Sequence, residues 1–246
     1  MGEHVAPTTP AKKKRSNIFW NIVGVVGELL ITFAIIVGLF SVWQLYWTTY
    51  QVSGQVSQTI ASYEEEHQPS KRTLGEVRTD DPPAFDREVG DGEVYGIVHV
   101  PTWDWMKIPL AEGTTSYVLD QGWAGHYDMT TQPGGVGNFS VAGHRRTYGN
   151  NFRWIDRLTQ GDKVVVEVDD RYLVYSMVSS EIIDATDPTQ MRVVAPVIDD
   201  VSWSETPTER WMTMTTCHPE YGNWQRYIVH LKFESWTPKD TGVPAE

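Results

Sequence analysis

One side chain in this chain of 246 residues can act as a soft nucleophile: Cys217, its sole cysteine. A single thiol excludes an internal disulfide, and without context it reads as a small buried hydrophobe. On an exported chain, an unpaired thiol is a liability unless it reacts. Cys217 closes the run Arg-Trp-Met-Thr-Met-Thr-Thr-Cys-His-Pro at 210–219. Alternate side chains of a strand share a face, so Thr213, Thr215 and Cys217 point one way and Met212, Met214 and Thr216 the other. With the methionines turned to a core, Cys217 sits among small polar neighbours at the open end of a strand, just before Pro219. There a thiol is held rigidly and stays accessible.

A thiol needs a base to become a nucleophile. Of the seven histidines, His4 and His67 lie in polar segments outside the strand-rich region. His218 neighbours Cys217 along an extended chain and points away from it, while His99 and His230 fall within strands and read as satisfied structural residues. His126 and His144 both follow glycine in loop-like settings, and His144 ends a strand much as Cys217 does. Local chemistry favours His144 modestly and leaves His126 open. Attack on an amide also creates an oxyanion that needs a cation or donors. Arg226 opens the last strand on the face opposite Tyr227, Val229, Leu231 and Phe233. A turn at 219–224 would bring it beside Cys217, although an isolated arginine more often ends as a solvated surface charge.

The elements that must position these residues begin after a long apolar run. Residues 1–16 read as a polar cytoplasmic tail ending in Lys12, Lys13, Lys14 and Arg15, and residues 17–48 as an uncleaved transmembrane signal anchor. The run is long enough to cross about 30 Å of hydrocarbon. Trp20 at one end and Trp43, Tyr46 and Trp47 at the other suit the interfacial aromatic belts, and the basic cluster keeps the N-terminus inside. Glu28 within the run is given no role. Residues 49–92 are polar and acidic, with no persistent apolar stripe, and read as an extracellular stalk.

From Glu93 onward the texture is β. Val94–Val100, Asn138–Ala142, Lys163–Val168, Tyr172–Ile183, Trp211–Thr216 and Tyr227–Phe233 read as strands, with a hairpin signal at Asp169-Asp170. Helix signals are confined to short stretches at Thr115–Leu119 and Phe152–Leu158. Short strands at close spacing imply an all-β barrel or sandwich. The formal net charge of −12 argues against nucleic acid as a partner.

Thr-Met-Thr-Thr-Cys-His-Pro at 213–219, followed by Gln-Arg-Tyr-Ile-Val at 225–229, resembles the active-site signature of the sortases, in the form of the class E branch. Tyr-Gly-Ile-Val-His-Val-Pro at 95–101 resembles their first barrel strand. Gly-Asn-Phe-Ser-Val-Ala-Gly-His-Arg at 137–145 resembles the stretch bearing their catalytic histidine. The resemblance spans roughly residues 93–236, leaving 237–246 as a C-terminal tail. It implies an eight-stranded barrel and a cysteine transpeptidase with His144, Cys217 and Arg226 as the catalytic set. It also places Thr216 and its backbone at the oxyanion region, with Thr215, His126 and Tyr127 as further candidates for substrate binding. The segment between Asp184 and Thr208 becomes a variable loop walling the groove. Two stretches depart from the pattern: Asp-Met-Thr-Thr-Gln-Pro-Gly after Tyr127, and Arg146 with Asn150-Asn151 after His144. These bear on loop shape and the second substrate.

The resemblance further implies cleavage of a Thr–Gly bond in a Leu-Ala-x-Thr-Gly or Leu-Pro-x-Thr-Gly motif near the C-terminus of secreted proteins. Transfer to a cell-wall precursor amine or a pilin lysine would follow. No cofactor is expected. Asp184, Asp187, Asp199, Asp200 and Glu205 form no ligand-loop pattern, so no metal is expected either. Two alternatives stand beside this reading: another cell-wall cysteine enzyme acting on stem peptides, and a non-catalytic anchored β-domain with Cys217 buried.

Overall fold

The computed structural model describes residues 18–71 and 73–244, so the tail at 1–16 lies outside the described residues. The chain divides into a unit ending at Trp43 and a unit of Gln44–Glu246. Helix α1 (Ile18–Glu66) begins in the first unit and ends in the second. Its apolar part has a mean hydropathy of 2.5, and among the described residues it is the one helix long and apolar enough to cross a membrane.

The second unit is a closed barrel. Its strands are β1 (Val94–Val100), β2 (Met106–Glu112), β3 (Ala124–His126), β4 (Gly137–Ala142), β5 (Lys163–Val168), β6 (Arg171–Asp184), β7 (Arg210–His218) and β8 (Gln225–Pro238). They close in the order β1-β2-β3-β4-β7-β8-β6-β5. Helix α2 (Ser116–Leu119) and three 3₁₀ turns lie between strands. The six strands expected from the sequence form, and β5 and β6 turn at Asp169-Asp170 as the hairpin signal predicts. β2 and β3 were not expected.

Period-two alternation sends Val98, Leu110, Phe139, Val141, Met212, Met214 and Leu231 into one interior cluster, each fully shielded from solvent. Burying each such side chain contributes roughly 1.5–3 kcal/mol. That core holds the strand ends at fixed positions around the rim.

Residues 49–92 do pack, contrary to the stalk expected for them. Val52, Val56, Ile60 and Tyr63 recur at helical spacing on α1 and are buried or half-buried. The stripe escapes notice because serine, glutamine, glycine and threonine separate most of its members. A Cβ on Gly122 would stand 3.0 Å from Val56 Cγ2 and 2.9 Å from the Tyr148 carbonyl, and its φ is +77°, so glycine there permits close approach. The Tyr63 hydroxyl donates to the Tyr95 carbonyl at 3.1 Å. Beyond the helix, Leu74 bridges to Val243 and Arg78 to Trp236, which ties the segment before the barrel to residues 236–243.

Candidate active site

β7 and β8 pair antiparallel, and Cys217 stands directly opposite Arg226. Directly opposed residues share a face, so the thiol and the guanidinium project on the same side, as a turn at 219–224 would require. β4 pairs parallel to β7, with Ala142 beside Thr215. Two residues further along each strand are His144 and Cys217. Two bonds extend this parallel pairing past the end of β4: the Gly143 N–H donates to the Thr215 carbonyl at 3.1 Å, and Thr216 Oγ1 donates to the Gly143 carbonyl at 2.6 Å. Cys217 is free and half-buried. His144, Cys217 and Arg226 thus converge on one rim of the barrel.

His144 is oriented from outside the strands. Its Nε2–H donates to Asp120 Oδ1 at 2.8 Å, and its ring lies 5.2 Å from that of Tyr148. Asp120 caps the C-terminus of α2. This bond selects the ring nitrogen that faces the carboxylate. Arg226 Nη1 donates to the carbonyls of Asn223 at 2.7 Å and Gln225 at 2.9 Å, so the turn itself aims the guanidinium. Arg145 donates to His218 Nδ1 at 2.9 Å and to Asp156 at 2.8 Å, which fixes the residue after the thiol. Burial, followed by the charge of Arg145, depresses the pKa of His218. Sequence reasoning missed Asp120 and Arg145, because neither belongs to a local pattern around the cysteine.

Of the further candidates, Tyr127 and Thr215 come to this region. Their hydroxyls lie 2.9 Å apart. Burial pushes the Tyr127 phenol up, against the hydrogen bond it shares with Thr215. The Thr216 hydroxyl binds the end of β4. His126 stays away from the rim. It is fully buried, with Nδ1 2.9 Å from Glu112 and Nε2 3.1 Å from the Thr131 carbonyl, and its ring lies tilted 5.2 Å from the core ring of Phe139.

A family model described as the Sortase domain matches residues 98–234, more than half of the chain. The chain belongs to the sortase family. Sortase SrtE1 of Streptomyces coelicolor is 35% identical over 225 residues, covering 89% of this chain and 59% of that protein. The chain therefore spans about three fifths of that relative's length. Sortase SrtE2 of the same organism is 29% identical, covering 89% of this chain and 84% of its own. Among solved structures, the SrtA sortase from Actinomyces oris is 44% identical with a TM-score of 0.64, covering 69% of this chain and 94% of that one.

In this sortase the outer face of β6, β8 and β7 carries a roof, the segment after Asp184. Val193 and Val194 pack on Ile183 and Ile228, with Tyr127 and Trp203 at the edges. A cavity of about 770 Å³ opens under the roof toward Trp211 and His230. The roof's acids serve its own turns. Asp187 accepts from the Thr189 backbone, and the backbone N–H groups of Glu205, Ser202 and Ser204, with the Ser202 hydroxyl, hold Asp200 down to about 2. Asn138 Nδ2 donates to the carbonyls of Val193 and Ala195, and its Oδ1 accepts from Thr213 at 2.8 Å. Thr213 has then spent its proton, so its 2.9 Å contact with His230 requires Nδ1–H of that ring to donate.

Burial depresses the His230 pKa below its ordinary value, although Glu181 opposes this. The unfolded chain therefore takes up a proton first on acidification. The stability contributed by neutral His230 is complete above about pH 6.5 and declines as the pH falls toward the folded pKa. The thermal midpoint should thus drop between pH 7.5 and 5.5. A His230→Asn variant, which keeps the Nδ1-like donor, should start lower and drop less steeply. An equal slope in both proteins would assign the acid sensitivity elsewhere.

Proposed function

We propose that this sortase is a membrane-anchored cysteine transpeptidase, with its N-terminus cytoplasmic and its barrel outside. Cys217 attacks the threonine carbonyl of a Leu-Ala-x-Thr-Gly or Leu-Pro-x-Thr-Gly motif. A thioester forms, the C–N bond breaks, and His144 gives its proton to the departing glycine amine. Arg226 stabilises the tetrahedral oxyanion. An amine, from a cell-wall precursor or a pilin lysine, then attacks the thioester, gives up a proton to His144 and releases the thiolate. The reading is supported by register: Cys217 lies opposite Arg226, and His144 follows two residues after Ala142, whose partner Thr215 stands two residues before Cys217. A shared membrane surface would raise the effective concentration of substrates that carry their own apolar segment.

The test incubates the full chain with fluorogenic peptides bearing each motif, with and without hydroxylamine as the amine. Hydroxylamine-stimulated cleavage at Thr–Gly supports the proposal and ranks the motifs. A chain whose Cys217 alkylates readily yet cleaves neither peptide would favour a stem-peptide enzyme.

Arg226→Ala should lower kcat/KM by about 10²- to 10³-fold, the scale for losing one oxyanion donor. Arg226→Lys should recover only part of this, because an ammonium lacks the planar fork. Alkylation of Cys217 should proceed at the parental rate in both. If it slows with the loss of cleavage, Arg226 acts on the thiol rather than on the oxyanion.

A further inference from the structure

We propose that a pocket beside the active-site rim binds the headgroup of an anionic phospholipid, with a hydroxylated phosphate diester such as phosphatidylglycerol as its ligand. The inference rests on the anchored reading above. The pocket, about 520 Å³, lies within the second unit and is lined by Tyr46, Tyr50, Arg146, Asn150, Arg153 and Tyr221, among others. Among the described residues, no carboxylate lines it. Arg146 pairs with Glu220 at the margin, donates Nη2 to the Tyr221 hydroxyl at 2.6 Å and lies over that ring at 4.5 Å.

Two buried atoms on its lining residues have no partner among the described residues: Arg146 Nε and Asn150 Oδ1. Leaving such groups unpaired in a folded chain costs about 1–3 kcal/mol each. Both atoms are sealed from solvent, so each meets a ligand only when its side chain turns toward the pocket; the first is then a guanidinium donor for a phosphate oxygen and the second an acceptor for a hydroxyl. A phosphate diester carrying a glycerol hydroxyl offers both. The loop bearing these residues also holds Tyr148 at φ +47° and Asn150 at φ +53°, on either side of Gly149 at +97°. Side chains tolerate that region poorly, and such strain gathers at ligand clamps.

The choice of a lipid follows from the remaining wall. Tyr46 belongs to the aromatic belt that ends the apolar run, and Tyr46 and Tyr50 are each 73% exposed. Aromatic belts sit at headgroup depth. Arg153 is exposed beside them, where a cation near an anionic leaflet gains about 1 kcal/mol. Arg146 and Asn150 are also residues at which the chain departs from the sortase pattern, so the pocket makes use of a sequence feature that the catalytic reading leaves idle.

The experiment places the full chain in nanodiscs of phosphatidylcholine alone, or with a third of the lipid as phosphatidylglycerol, and follows amide exchange. Residues 146–153 should exchange about tenfold more slowly in the anionic discs, the scale for a site mostly occupied by ligand. The slowing should vanish in the Arg146→Gln/Arg153→Gln double variant and weaken in Arg153→Gln, whose exposed site does not threaten folding. Equal exchange in the two discs, or slowing that survives the double substitution, overturns the proposal. Slowing by inorganic phosphate in neutral discs to the same extent would make the site a phosphate site and overturn the lipid assignment. Exchange at residues 18–43 reports the anchor separately. If those residues are unprotected in either disc, the anchor and this proposal fall together; if they are protected without a lipid effect at 146–153, only this proposal falls.

Discussion

A Cys217→Ala chain should fold like the parent and transfer nothing, with cleavage reduced on the order of 10⁶-fold, the scale for removing a nucleophile. The two halves of this result have separate physical origins. Cys217 is half-buried at the end of β7, while the side chains that hold β7 in the barrel, Met212 and Met214, are fully buried and remain. Deleting one sulfur at the rim opens no core cavity, so the thermal midpoint should stay within a degree or two. Chemistry has no such reserve, because this is the sole thiol in the chain. Serine would not rescue it, since a hydroxyl far above neutral pKa needs a stronger base than the pairing here supplies. Intact-mass measurement during turnover reads both claims: an acyl adduct on the parent, none on either variant, and unchanged melting. Transfer persisting in Cys217→Ala would remove the covalent mechanism altogether.

The second large effect is at His144. His144→Ala should lower turnover of the Thr–Gly amide by about 10²- to 10⁴-fold, the usual contribution of a positioned general acid–base. The loss should depend on the leaving group. An amide nitrogen must be protonated as it departs, whereas a thioester or an activated anilide needs far less help. The variant should therefore lose much less on an activated substrate with the same acyl part. Asp120→Asn should show the same pattern weakly, about tenfold on the amide, because Asp120 holds the imidazole through one bond and is 36% exposed. Equal losses on both substrates would mean that His144 shapes the rim and moves no proton.

The Cys217–Arg226 pair was legible because it is local and periodic, whereas His144 was preferred to His126 only through the resemblance. The alternation in Trp211–Thr216 gave the face of Cys217, and a six-residue turn gave its approach to Arg226. β2 was hidden by Pro109, which interrupts a strand pattern and yet pairs with Ile97 across β1. β3 spans only Ala124–His126, too short for any periodicity. His126 illustrates a different limit. Sequence sees a histidine after a glycine, and only the packing reveals that Glu112 and the Thr131 carbonyl already hold both nitrogens. Asp120 was equally invisible, since nothing between it and His144 encodes a carboxylate–imidazole contact. The packed stripe on α1 was visible in principle, but it is thin.

The parallel seam between β4 and β7 has a consequence for the timing of activity. The Thr216–Gly143 bond that brings the histidine strand beside the cysteine joins residues 73 apart, and Arg226 arrives with the last strand. Contacts of such long range are slow to form, because loop closure must come before their reward. While the chain is being synthesised, Cys217 therefore stands without His144 or Arg226 beside it. On the mechanism proposed above, the nucleophile is armed only when the C-terminal strands close the barrel. The topology thus delays reactivity until folding ends, as an inhibitory propeptide would, with no segment to remove.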